Sequence, residues 1–213
     1  MRLVRWLILV LFLAVLAWRW PLFHLLPLQA VRQQKMAALF DPGQFAAKFW
    51  KDRLLPSLPA AAPAGSLIQA IQTDPAAARK KFGRSVGLGA DYFYFLSGTG
   101  KVVSATADQV SIACLPPYTN ADLAIAIGPV FGDALRDGSG LLSINDYPNS
   151  QDFNAISAAL DHLSETQVLP EVKSQARVGL TVRLAGCAEV DDESTDLRPL
   201  NLVPILFEAA PTP

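Results

Sequence analysis

The sequence predicts an α+β protein with an apolar N-terminal segment, a helical region and a region of short strands. An uncharged apolar run extends from Trp6 to Trp18, and helix-start signals recur between residues 41 and 82. Alternating and β-branched runs, punctuated by Gly and Asp, follow from residue 83. We expect an N-terminal anchor or signal segment (1–28), a helical subdomain (29–82), a β-rich domain (83–208) and a short tail (209–213).

The composition excludes one class of partner. The 213 residues carry a net charge of -1, with 51% hydrophobic and 17% charged residues, against roughly 25% charged in ordinary soluble domains. No basic patch suited to the phosphates of nucleic acid is present. Much of the apolar surplus lies at the N-terminus.

The N-terminal segment permits two interpretations. The uncharged run is short, as in a cleavable signal peptide that would end near Ala30. Leu3 to Trp20, however, would form about 27 Å of helix, nearly a bilayer core. Because Arg2 and Arg5 favour the cytoplasmic side, we expect a single anchor in the inner membrane with the bulk of the chain in the periplasm.

The helical region carries two matching start signals. Asp41 is suited to be an N-cap, Pro42 fits the first helical position, and Gln44 lies three residues after the cap. The same Asp-Pro pair recurs at Asp74 and Pro75. We therefore expect one helix to begin after Asp41 and another after Asp74.

The later region reads as strands with one helix inserted late. Five or more strands with such a helix favour a small barrel of the OB type, and an antiparallel sheet packed by helices is the alternative. We expect Gly98-Thr99-Gly100 to form a tight turn between two strands, and Pro170 to follow the end of the helix. The expected strands lie near 91–97, 101–107 and 109–115 and in "LAIAIGPV", "LLSIN", "RVGLTVRLAGCAEV" and "RPLNLVPILFEA", and the helix spans about 151–168.

The polar stretch "INDYPNSQDFNAIS" (144–157) has a structural and a functional interpretation. Asn149 is a suitable N-cap for the helix, with Asp152 three residues on. The remaining polar residues, with those of the preceding loop, could form a pocket for a small polar ligand such as a sugar. These candidate ligand-binding residues are Asp133, Arg136, Asn145, Asp146 and Asn154.

Other chemistry is sparse in the sequence. His24 and His162 lack a second ligand at zinc spacing, and no G-x-S-x-G motif occurs. We therefore predict no metal, no cofactor and no enzymatic activity. Cys114 and Cys187 could form a disulfide in the periplasm, or remain two buried thiols.

Five stretches, "FDPGQFAAKFW", "KKFGRSVGLG", "GPVFGDALRD", "NDYPNSQDFNAIS" and "GCAEVDD", together resemble an uncharacterised bacterial family of predicted periplasmic lipoproteins. The resemblance extends from about residue 40 to 193. It implies a helical subdomain with an OB-like α/β barrel, and genes beside ribose- or xylose-type sugar ABC transporters. An accessory role in sugar import follows, through contact with the transporter or its periplasmic binding protein. Because this sequence has no lipid-bearing Cys near its N-terminus, we expect the apolar segment itself to be the anchor.

Overall fold

The computed structural model describes Trp6 and residues 40–87, 89–147 and 149–210. Apart from Trp6, the predicted anchor at residues 1–28 lies outside the described residues. Within the described part of the chain, no helix is both long and apolar enough to cross a membrane. The chain from Asp41 onward forms one compact unit that contains both the helical and the β-rich regions.

The first helix begins where the sequence predicts. Helix α1 (Pro42–Phe49) follows Asp41, whose carboxylate accepts a hydrogen bond from the Gln44 N–H at 3.0 Å. Pro42 lies in the first turn, where its missing N–H leaves no helical bond unmade. The helical run then continues through three short turns, which are π-helical, α-helical and 3₁₀ (Trp50–Leu54, Leu55–Ser57 and Leu58–Ala60).

Two further helices complete the helical region. They are α2 (Ala64–Thr73) and α3 (Pro75–Phe82). The Asp74 carboxylate accepts a hydrogen bond from the Ala77 N–H at 3.1 Å, so the predicted cap of α3 is confirmed. Helix α2 buries Leu67, Ile68 and Ile71. These apolar side chains bind the helical region to the core of the β-rich region.

The strands form one sheet around the long strand β3. Antiparallel pairing joins β3 to β4 on one side and to β6 on the other. The main path runs β7-β5-β4-β3-β6-β8, and β1 and β2 also pair with β3. The strands are β1 (Ala62–Pro63), β2 (Arg84–Ser85), β3 (Tyr92–Ala105), β4 (Gln109–Ala113), β5 (Leu123–Ala126), β6 (Thr181–Val190), β7 (Leu200–Asn201) and β8 (Val203–Ala209).

The predicted turn at Gly98-Thr99-Gly100 is wrong, because these residues continue β3 without a break. A Cβ atom on Gly98 would lie 3.0 Å from the Ala64 Cβ, and one on Gly100 would lie 2.5 Å from the Ile112 Cγ2. The two glycines therefore allow neighbouring elements to approach the strand closely. They do not reverse its direction.

The end of the chain curls the sheet towards closure. Strand β7 pairs in parallel with β5, where Leu123 lies opposite Leu200. Strand β8, which follows at once, pairs with β6 in antiparallel fashion. A single segment thus connects both sides of the sheet, giving the curled, barrel-like α+β architecture that the strand pattern favours.

The connection between β5 and β6 holds the remaining helices. They are α4 (Ala134–Gly138), α5 (Ser150–Leu163) and α6 (Leu169–Gln175), with a 3₁₀ turn at Ile144–Asp146 and a π-helical turn at Ser164–Val168. The predicted strand in "LLSIN" is wrong, since its end forms the 3₁₀ turn. Pro170 does not end the helical run, because it lies in the first turn of α6, where proline is tolerated. Helix α5 buries Phe153, Ile156 and Leu160 and packs against α1.

The two cysteines lie on opposite sides of β3. Cys187 lies in β6 opposite Phe95, whereas Cys114 directly follows Ala113, which lies opposite Lys101. Strand spacing of about 4.8 Å and a rise of about 3.3 Å per residue place them far beyond disulfide reach. Both thiols are free and buried, and burial raises the pKa of Cys114 to about 12. The structure therefore has two free thiols where the sequence allowed a bridge.

Candidate functional site

Arg136 is the buried centre of a polar cluster at the start of α4. Only 6% of its surface is exposed. Its guanidinium forms a bidentate pair with Asp137, from Nε to Oδ1 at 2.9 Å and from Nη2 to Oδ2 at 2.7 Å. Nη2 also lies 2.9 Å from Asp133 Oδ2, and Nη1 donates to Asn154 Oδ1 at 3.0 Å. Its Cζ lies 4.1 Å from the centre of the Phe153 ring.

The contacts of Arg136 hold neighbouring parts of the protein together and leave little of its guanidinium free for a ligand. Its donors point at protein acceptors, and its flat face is covered by Phe153, so the positive charge is neutralised within the protein. Because Asn154 and Phe153 belong to α5, the cluster fastens α4 to α5. The side-chain bonds to Asp137 and Asp133 raise the pKa of Arg136, against the lowering effect of burial.

The structure brings together three of the five predicted site residues, namely Asp133, Arg136 and Asn154. Asn145 and Asp146 lie elsewhere, exposed on the 3₁₀ turn at Ile144–Asp146. No hydrogen bond among the described residues joins the side chain of either to the Arg136 cluster. The predicted pocket is thus divided in the structure.

The structural interpretation of the polar stretch is confirmed at Asn149. Its side-chain oxygen accepts a hydrogen bond from the Asp152 N–H at 2.8 Å, and its amide donates to the Asp152 carboxylate at 2.9 Å. These contacts cap α5 and place Asp152 in the first turn, where a negative charge is stabilised by the helix dipole.

A cleft of about 460 Å³ lies between the loop before α4 and the side of α5. Its volume is within the range of small-molecule sites. Phe131 stands at the cleft with 83% of its surface exposed. The polar side chains that line it include Asp133, Asn154, Ser157, Asp161, His162 and Glu165.

Helix α5 and the π-helical turn that follows it hold the loop side of the cleft in place. The Ser157 hydroxyl lies 2.7 Å from the Gly132 carbonyl and 2.9 Å from Asp133 Oδ1, within hydrogen-bonding distance of both. Glu165 Oε1 accepts the Val130 N–H at 2.6 Å. Both sides of the cleft are therefore preformed, which lowers the entropy cost of binding a ligand.

Asp161 is the most unusual group in this cleft. Its surface is 6% exposed. Its carboxylate oxygens accept no hydrogen bond from the described residues, although they keep some contact with solvent in the cleft. Burial first, and then the negative charges of Asp133 and Glu165, raise its pKa to about 7, with Arg136 acting in the opposite direction. A buried carboxylate without a donor is costly when ionised. Either a proton or a hydrogen-bond donor from a ligand would therefore stabilise the Asp161 carboxylate.

Glu189 adds a further carboxylate from β6. Its Oε2 accepts the Asp133 N–H at 3.5 Å. Burial raises the pKa of Glu189, and the hydrogen bond from Asp133 opposes that effect. Glu189 also raises the pKa of Asp161. Carboxylates from three separate elements therefore act on Asp161.

Sequence analysis missed Asp161, although α5 carries a signal. Asn154, Ser157, Asp161 and Glu165 follow one another at spacings of three and four residues, which places them on one face of a helical run. This polar stripe lies beside the apolar stripe of Phe153, Ile156 and Leu160. The spacing therefore places Asp161 on the same helix face as Asn154, which the sequence analysis had already selected.

A protein-family model that matches most of the chain shows to which family the protein belongs. The model of the predicted periplasmic lipoprotein family DUF2291 matches residues 9–208. The chain belongs to this family. The DUF2291 description gives a membrane-associated location in the periplasm and assigns no activity.

A solved structure shows the fold. A crystal structure of an OB-fold protein from Thermotoga maritima is similar with a TM-score of 0.70 and 22% sequence identity, covering 81% of this chain and 99% of that chain. The predicted α+β class and its OB-like character are thereby confirmed, with the sheet curled into a half-barrel. No curated protein matches this DUF2291 chain.

The cleft combines hydrogen-bonding groups with an apolar ring. Among the residues that the structure describes, no three His, Cys, Asp or Glu side chains are placed to hold a metal ion. The cleft offers hydrogen-bond acceptors on Asp133, Asn154, Asp161 and Glu165, beside the apolar ring of Phe131. Convergent polar groups next to an apolar surface are typical of sites for small polar molecules.

Proposed function

We propose that this protein is a non-enzymatic accessory of a sugar ABC import system, held at the inner membrane by a single N-terminal anchor with its barrel in the periplasm. Membership of a periplasmic lipoprotein family supports the location. The resemblance found in the sequence supports the link to sugar import. The barrel would contact the transporter or its periplasmic binding protein.

The exposure of Phe131 is the structural feature that supports contact with a partner protein. A large aromatic side chain that is 83% exposed on a loop tied down by Ser157 and Glu165 gives a rigid apolar anchor. Interfaces concentrate their binding energy in such aromatic residues, surrounded by polar groups. The acidic cleft beside Phe131 supplies that polar surround.

Co-purification of the intact, detergent-extracted protein from its own membranes tests this role. We expect a sugar-importer subunit or binding protein to be recovered with the unmodified chain and largely lost with Phe131→Ser. Val178→Ser is the matched control, because Val178 is also an exposed apolar residue, with 69% of its surface accessible. Equal recovery with Phe131→Ser, or recovery of no importer component, contradicts the proposal.

A second candidate function is binding of a small polar ligand, such as a sugar, in the cleft. Asp161 favours it, because a nearly buried carboxylate without a donor gains more from a ligand than from water alone. Calorimetric titration of the intact protein with pentoses and aminosugars tests this candidate. Saturable heat that disappears on Asp161→Asn supports it, and the absence of saturable heat with both classes excludes it.

A further inference from the structure

The cleft is short of positive charge as well as of hydrogen-bond donors. Asp133 and Glu165 line the same cleft as Asp161. The negative charge of Glu189 from β6 and the positive charge of Arg136 from α4 also act on Asp161. Arg136 is already engaged by Asp137 and Asp133. His162 is largely exposed, and its Nδ1 lies 3.7 Å from Glu165. The carboxylates thus outnumber the cations around the buried Asp161.

We propose that the cleft binds a small organic molecule through a protonated amino group, with the ammonium placed against the Asp161 carboxylate. This inference rests on the second candidate function and specifies its ligand class. An ammonium supplies both the missing donor and the missing charge, whereas a neutral hydroxyl supplies the donor alone. An inorganic cation fits less well, because the described residues offer no set of three ligands in a metal-binding arrangement.

The remaining contacts match the rest of such a ligand. Asn154 and Glu165 line the same cleft. The Asn154 amide can donate a hydrogen bond to a hydroxyl oxygen, and the Glu165 carboxylate can accept one from a hydroxyl group. The exposed ring of Phe131 can cover an apolar ring face or contribute a cation–π contact. An aminosugar or a short diamine is within the volume of about 460 Å³.

A matched ligand pair tests the charge directly. Calorimetry of the full-length protein in detergent compares D-glucosamine with D-glucose at about pH 7, where most of the amine is protonated and about half of Asp161, with a pKa of about 7, is ionised. We expect glucosamine to bind at least about tenfold more tightly, as for a charge-assisted pair. Putrescine is the second probe, because it carries the ammonium without the sugar ring.

Two variants locate the site. Asp161→Asn keeps the shape of the side chain and removes its charge, so glucosamine binding should weaken at least about tenfold. Asp108→Asn makes the same change at an exposed position in the turn after β3 and should leave binding unchanged. Circular dichroism confirms that both variants are folded.

The possible failures are distinguishable. If glucose and glucosamine bind equally and both lose binding in Asp161→Asn, the cleft binds a ligand but does not select for an ammonium group. Glucosamine binding that survives Asp161→Asn overturns the site. If glucosamine, glucose and putrescine all fail to bind, the ammonium site and the proposed ligand-binding function are both contradicted. The proposed contact with an importer is tested separately by co-purification.

Discussion

The protonation of Asp161 should make the stability of the protein depend on pH. Its folded pKa is about 7, whereas an unfolded aspartate titrates near about 3.9. Between these values the folded protein keeps a proton that the unfolded chain has lost. Rising pH through this window therefore lowers the free energy of unfolding, and the full cost is present above about pH 7.

Replacing Asp161 by Asn should remove that cost. We expect Asp161→Asn to raise the free energy of unfolding by about 2–4 kcal/mol at about pH 8, from the rule of about 1.4 kcal/mol per pKa unit, and to change it little at about pH 4. Urea unfolding at the two pH values measures both effects. Asp108→Asn should give less than about 0.5 kcal/mol at either pH. A gain that is the same at both pH values would show that Asp161 does not titrate as described.

Among the site residues, sequence reasoning succeeded where the signal is local. Asp133, Arg136 and Asn154 were found because charged and amide residues stand out near a helix start, and the structure joins them. Asn145 and Asp146 carried the same signal, but the 3₁₀ turn leaves them exposed. The ionisation of Asp161 depends first on burial, then on the charges of Asp133 and Glu165, and least on Glu189 from a distant strand. Burial and contacts with other elements are not visible from spacing along one helix.

At the scale of elements, the close contact of β3 with β4 depends on Gly100. A Cβ at this position would lie 2.5 Å from the Ile112 Cγ2 and 2.9 Å from the Ala113 carbonyl oxygen. We expect Gly100→Ala to lower the free energy of unfolding by about 1–3 kcal/mol, as for overpacking. Thermal or urea unfolding measures the loss.

Gly128→Ala is the matched control for Gly100→Ala. A Cβ on Gly128 has no heavy atom within 4 Å, so we expect a change below about 0.5 kcal/mol. Equal losses in the two variants would mean that loss of glycine flexibility, and not the approach of β4, sets the cost.

The helix starts could be predicted from the sequence, whereas the continuity of β3 could not, because the two depend on contacts of different range. The caps at Asp41, Asp74 and Asn149 are hydrogen bonds to residues three positions away, so the sequence contains the whole interaction. Gly98 and Gly100 instead leave room for side chains of α2 and β4 to approach β3 closely. The same Gly-Thr-Gly pattern is typical of a turn when such neighbours are absent.

At the scale of the whole molecule, the proposed anchor predicts on which side of the membrane the body of the protein lies. Arg2 and Arg5 precede the apolar run, and positive residues favour the cytoplasmic side. We expect a reporter that is active only in the periplasm to work when fused after Pro213. The protein should also stay with the membrane fraction through a high-salt wash.

Two outcomes would contradict this topology in different ways. A fusion that is active only in the cytoplasm reverses the orientation. A mature protein that is released in soluble form and starts near Ala30 identifies the apolar run as a cleaved signal. The fold of the body from Asp41 onward is independent of that choice, since it forms one compact unit by itself.

Site-specific photo-crosslinking in living cells tests most directly whether the face around Phe131 contacts a sugar importer, as we propose. A photoreactive phenylalanine analogue at Phe131 should yield a crosslink to the importer or its binding protein, identified by mass spectrometry. The same analogue at the exposed Val178 should not. An importer crosslink that is absent at Phe131, or equally strong at Val178, would contradict the claim.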